Sequence, residues 1–203
     1  MGRSYAEPSL RMSAGAIFTI ICLPGKRSPL YWNKVFPCGP TRQCREGEPR
    51  THKLVKDLQL DISPMLELID GCRGDICPVQ PKTREDLLAY SYKVAACVGI
   101  TSATVMGASE AAKEYAISLG YALQLVNILR DVAEDCRKYG RFYLPADDMK
   151  LFGVTQEDIR NQRYNYRMRQ LLAYEAALAE KFFGDAETYY QQLSVEDRNA
   201  LIA

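Results

Sequence analysis

The stretch GYALQLVNILRDVAEDCRKYGRFYLP, residues 120–145, carries the reading of the fold. At helical period it sets Asn127, Asp131 and Asp135 four residues apart, one turn above another on a single face, with Gln124 three residues before Asn127. Leu123, Val126, Ile128, Leu129 and Val132 fill the intervening positions. The pattern predicts a helix over 110–138 that ends near Gly140, with Pro145 beyond it. A ridge of carboxylates in an apolar helix is costly to bury without a partner. Two partners fit the spacing. One is the neighbouring cations Arg130 and Lys138 on a solvated face. The other is a hard cation such as Mg²⁺, which takes carboxylate and amide oxygens together with phosphate oxygens, with Arg130, Arg137 and Arg141 close enough in sequence to meet phosphate.

Outward from this stretch the helical texture continues. Ser63 before Pro64 marks the start of a helix through MLELIDGCRGDI. Thr83 with Asp86, and Thr155 with Asp158, have the spacing of capping boxes, the first ahead of the apolar run LLAYSYKVAACVGITSATVM. Residues 163–192 read as a last long helix. No alternating pattern of any length suggests a strand, so the expected class is all-α. Residues 1–53 differ: prolines and glycines crowd 24–49, and nine Lys/Arg stand against three Asp/Glu. They read as a basic lead-in, and 54–203 as one helical domain.

Composition narrows the function. A net charge of +1 over 203 residues argues against nucleic acid as the main partner. Seven cysteines without a C-x-x-C pair, and one histidine, His52, argue against a zinc site and suit a reducing compartment. The longest apolar run, AIFTIICL at 16–23, is shorter than a membrane span and reads either as part of a targeting sequence or as one buried turn.

Three segments, in order, carry a family resemblance. NILRDVAED followed by GRFYLP resembles the second aspartate-rich signature of squalene and phytoene synthases. YSYKVAACVG, residues 90–99, resembles their Y-C-Y-x-V-A-G-x-V-G signature, with Ser91 for the cysteine and Ala96 for the first glycine. LIDGCRGDI, residues 68–76, resembles their I-x-G-x-x-x-D-L segment. The resemblance implies a helical bundle that joins two prenyl diphosphates, farnesyl or geranylgeranyl, head to head. In that chemistry a metal, Mg²⁺ or alternatively Mn²⁺, draws off one diphosphate, and the second substrate's double bond attacks the allylic cation to give a cyclopropyl intermediate. By matched position, Asn127, Asp131 and Asp135 would hold metal and diphosphate, and Gln124 would contact substrate. Arg141 and Tyr143 would sit near phosphate. Tyr90 would stabilise the cation through its ring, and Val94, Gly99 and Ala116 would line the prenyl channel. Use of NADPH stays open, as does a compartment in the cytoplasm, with peripheral membrane contact, or in a plastid.

The sequence also departs from that pattern. The family's earlier D-x-x-x-D has no counterpart in residues 1–50, which contain no aspartate, and Asp57 with Asp61 falls too late in the order. The expectation is therefore a synthase bundle incomplete at both ends, which alone condenses prenyl diphosphates at no useful rate. A non-catalytic scaffold relative and an inert fragment are the alternatives, and retention of Asn127, Asp131 and Asp135 counts against the scaffold.

Overall fold

The computed structural model describes residues 55–57 and 59–202, and these are helical and connecting segments with no strand among them. The basic lead-in of residues 1–53, with the 16–23 run and His52, lies outside the described residues. The first long helix, α1, spans Ser63–Gly74. It starts one residue earlier than the sequence suggests: Ile62 is the N-cap position, no side chain caps it, and the Ser63 N–H donates to Asp61 Oδ1 at 2.9 Å. Asp61, half of the late D-x-x-x-D, thus has a local structural task. The helix stops at Gly74, short of the expected Ile76.

The apolar run that follows is helical throughout but is not one α-helix. It comprises α2 (Arg84–Ser91), a π-helical segment (Tyr92–Ala96) and α3 (Cys97–Val105). The Thr83–Asp86 capping box starts α2 as expected. Ser91 Oγ then donates back to the Leu87 carbonyl at 2.8 Å, a bond that loosens the backbone ladder where the π segment begins. A turn of 3₁₀-helix (Glu110–Ala112) leads into α4, which runs from Lys113 to Tyr139. Its stop is Gly140 at φ 63°, in the left-handed region that glycine tolerates. The chain then forms short helices α5 (Ala146–Leu151) and α6 (Gln156–Arg160), the latter behind the expected Thr155–Asp158 box. Helix α7 spans Tyr166–Gln192 and α8 Val195–Ile202.

Helix α4 lies at the centre, against α7 on one side and against α3 and the π segment on the other. Leu125, Ile128 and Cys136 of α4 share a buried core with Leu87, Leu144, Met149, Ile159, Met168, Leu171 and Ala179. The contact with the π segment is unusually close. A Cβ placed on Gly120 would stand 2.6 Å from the Ala96 Cα and 2.8 Å from its backbone nitrogen. Among the described residues Cys77, Cys97 and Cys136 carry free thiols.

A second buried feature lies away from α4's polar ridge. Glu175 of α7 is 1% exposed, and neither carboxyl oxygen is hydrogen bonded. Arg84 Nη2 stands 3.7 Å from it, while Arg84 Nε donates to Asp148 Oδ2 at 3.0 Å. Burial, then the adjacent Asp148 carboxyl, pushes the Glu175 pKa up to about 7 against the pull of Arg84.

Two predictions follow from this packing. Gly120→Ala should lower stability by about 2 kcal/mol in urea unfolding, because backbone rather than a mobile side chain blocks the new methyl. Gly184→Ala in α7, where nothing lies within 4 Å, should instead raise it by about 1 kcal/mol through helix propensity. Equal shifts for the two would refute the close contact. The second prediction concerns pH. Glu175 binds its proton more tightly folded than unfolded, so its contribution is full below pH 4.5 and is lost as pH rises through about 7. Between those limits the parent should lose about 3 kcal/mol relative to Glu175→Gln. Parallel stability curves for the two proteins would show that the carboxyl is not held protonated.

Candidate active site

The C-terminal half of α4 presents Asn127, Asp131 and Asp135 on one face, all half-buried, while Leu125 and Ile128 turn to the core. Asp131 is clasped by its neighbour: Arg130 donates through Nε at 2.8 Å and Nη2 at 2.6 Å. Those bonds hold the Asp131 pKa below the usual carboxylate value despite partial burial. The solvated-face reading therefore holds for Asp131 in part. Lys138, its other candidate partner, pairs with Glu134 instead.

Asp135 lies at the helix end, where the stop builds the next part of the site. After Gly140 the chain folds back, and the Arg141 N–H donates to the Asp135 carbonyl at 3.1 Å. This closure lays Arg141 beside α4's last turn. Asp135, Arg141 and Tyr143 line one pocket with Ile128, Val132 and Phe142.

Arg141 is 7% exposed and satisfied from a third element. Its Nη2 donates to the Asp75 backbone carbonyl, its Nη1 donates to Tyr143 Oη at 3.1 Å, and Nη1 stands 3.7 Å from Asp75 Oδ1. Burial opposes its charge, but Tyr143 and Asp75 outweigh that and hold its pKa above the ordinary guanidinium value. Tyr143 and Tyr90 both donate to Asp75 Oδ1, at 3.2 Å and 3.1 Å, and their rings stack with centroids 5.2 Å apart. Burial first, then the Asp75 charge, raises both phenol pKa values. Tyr90, the penultimate residue of α2, is thereby joined through Tyr143 to the pocket that Asp135 lines.

The remaining expected residues lie elsewhere along the same helices. Gly99 of α3 abuts Ala116 of α4 so closely that a Cβ on it would lie 2.9 Å from the Ala116 carbonyl oxygen. The Val94 side chain lies against Gly71 of α1. In the described residues the small size of Gly99, Ala116 and Gly71 serves close helix approach. Gln124 is half-buried on α4, nearly one turn before Asn127. The sequence reading missed Asp75. Its signal was the last carboxylate of LIDGCRGDI, one residue beyond the helix-ending Gly74.

The donor set suits a hard divalent cation. Asn127, Asp131 and Asp135 offer two carboxylates and an amide oxygen, the partial shell that Mg²⁺ completes with water and phosphate oxygens. Among the described residues no three His, Cys, Asp or Glu side chains form a preformed metal cage.

Comparison with known proteins points to one family. The sequence profile of the family described as squalene/phytoene synthase matches residues 36–203. A phytoene synthase from Arthrospira platensis is 42% identical over 63% of this chain and 46% of its own length. A chloroplastic phytoene synthase from Daucus carota is 38% identical over 71% of this chain and 38% of its own. The chain thus spans less than half the length of these relatives. Among solved structures, a dehydrosqualene synthase in complex with ligand superposes with a TM-score of 0.67 at 32% identity, covering 75% of this chain and 54% of that one. A squalene synthase from Alicyclobacillus acidocaldarius gives the same TM-score at 26% identity, over 75% and 58%.

The geometry predicts that Arg141→Met costs about 3 kcal/mol in urea unfolding, since it leaves Asp75 with its cation gone. Adding Asp75→Asn should recover part of that loss. Additive losses from the two substitutions would show that the pair is not coupled.

Proposed function

We propose, on the premise that the chain belongs to the squalene/phytoene synthase family, that it acts in the head-to-head condensation of two prenyl diphosphates in isoprenoid or carotenoid biosynthesis. The observation that carries this is the Asn127, Asp131 and Asp135 face of α4 ending on a buried, hydrogen-bonded Arg141. Asn127, Asp131 and Asp135 would hold Mg²⁺, or Mn²⁺ in its place, which would supply positive charge against that of a departing diphosphate. Arg130 takes one lone pair on each Asp131 oxygen and leaves others for a metal. Arg141, kept charged by its surroundings, meets diphosphate oxygens at the end of the same face. Tyr90 offers an electron-rich ring to a developing allylic cation, and the apolar side chains around the ridge keep water from it.

The identity to phytoene synthases favours geranylgeranyl diphosphate and a phytoene-type product. The likeness to dehydrosqualene and squalene synthases favours farnesyl diphosphate and a presqualene-type product as the second reading. Among the described residues no helix is long and apolar enough to cross a membrane. The product is apolar, so we place the protein at a membrane surface in contact with the bilayer only peripherally, in the cytoplasm or in a plastid.

The test has two stages. First, binding of a non-ionising prenyl thiodiphosphate is measured by calorimetry with and without Mg²⁺. Binding that is Mg²⁺-dependent, and weakened in Asp131→Asn and Asp135→Asn, is expected. Second, the chain is incubated with Mg²⁺ and each radiolabelled prenyl diphosphate, with and without NADPH, and the extracted products are separated. In a full-length synthase carrying this core, Asp131→Asn should lower turnover about 10²-fold or more while leaving the helical fold intact. Binding indifferent to both Mg²⁺ and the two aspartates would overturn the reading and favour a scaffold.

A further inference from the structure

Asp75 sits where an isolated carboxylate is disfavoured. It follows Gly74 directly at the C-terminal end of α1, the negative end of the helix dipole, and its side chain is only 16% exposed. A surface aspartate in a turn would face water. This one meets three donors from two other parts of the chain: the Tyr90 hydroxyl at 3.1 Å, the Tyr143 hydroxyl at 3.2 Å and the Arg141 guanidinium at 3.7 Å. The nucleophile-free chemistry expected of an apolar condensation pocket does not need Asp75 as a reacting group, and α1 does not need it as a cap.

Proton counting shows what the contact achieves. Each phenol has one proton to donate. A carboxylate accepts more strongly than a neighbouring phenol, so both protons go to Asp75. The 3.4 Å approach between the two hydroxyl oxygens is then a contact rather than the main bond. Arg141 takes a lone pair of Tyr143 at 3.1 Å. Tyr90 is left with its proton committed and its oxygen lone pairs and ring electrons available, beside a full negative charge.

We propose that Asp75 is a positioning residue. It fixes Tyr90 and Tyr143 as oriented, electron-rich groups that present no O–H to the pocket, so that they favour an electron-deficient carbon over a phosphate oxygen. What the tyrosines act on rests on the reading given under Proposed function. That Asp75 holds them does not.

The experiment uses the full chain labelled with 3-fluorotyrosine and followed by ¹⁹F NMR, with the Tyr90 resonance identified as the one lost in Tyr90→Phe. In Asp75→Asn, which keeps the shape and removes the charge, the Tyr90 resonance should move and Tyr90 should ionise more readily than in the parent, with the circular dichroism unchanged. In a condensation assay kcat should fall about tenfold or more with KM little altered, the scale seen when supporting partners of site residues are removed. Asp75→Asn added to Tyr90→Phe should cost no more than Tyr90→Phe alone. An unchanged Tyr90 resonance and titration in Asp75→Asn overturns the proposal, as does an additive kinetic loss. If the parent condenses neither substrate, the kinetic arm is read in a full-length synthase carrying this core, and the NMR result decides whether Asp75 holds Tyr90.

Discussion

A guanidinium buried as deeply as that of Arg141 must be surrounded by acceptors, or it destabilises whatever encloses it. Meeting that demand organises the described part of the molecule. The acceptors come from the end of α1 and from the turn after α4, and the same carboxylate draws in Tyr90 from the end of α2. Three elements far apart in sequence are thus tied at one point beside the last turn of α4. The tie depends in turn on Gly140, because only a left-handed residue there lets the chain double back and bring Arg141 over Asp135.

The same economy governs α4. One stripe is apolar and buried between α7 and the α2–α3 run, and the opposite stripe carries oxygen donors. Asp131 illustrates how one residue serves two conditions. Held by Arg130 it is a satisfied, partly exposed carboxylate; with a divalent cation and a phosphate nearby, both members of the pair have stronger partners. The ion pair seen here leaves further lone pairs on the same carboxylate, so pairing with Arg130 and holding a metal are compatible roles of one side chain.

The sequence announced most of the local structure. Capping boxes at Thr83 and Thr155 and the glycine stop at 140 were legible because each is a short-range hydrogen-bonding or dihedral requirement. The polar ridge was legible because helical spacing is fixed. What escaped was non-local. Asp75 reads as an ordinary aspartate after a glycine until Tyr90, Tyr143 and Arg141 are brought to it. Gly99 and Ala116 let two helices touch, a contact between residues distant in sequence that spacing alone does not announce. Asp61, too late in the order for the family's D-x-x-x-D, accepts the Ser63 N–H at the start of α1.

The π segment is the clearest case of structure hidden inside a correctly read helix. The Cys97 N–H reaches back to the Tyr92 carbonyl, five residues rather than four. One surplus residue amounts to about 100° of helical rotation. Tyr90 and Gly99, on either side of it, therefore face directions that no uninterrupted α-helix of this sequence would give them. A single-residue deletion within Tyr92–Ala96 would close the wide turn to regular α-helix and leave Tyr90 and Gly99 facing as they do here, whereas one added residue would turn Gly99 away from Ala116 while Tyr90 stayed with Asp75. Tolerance to a one-residue shortening, usually sought in loops, is found here in the middle of a helix.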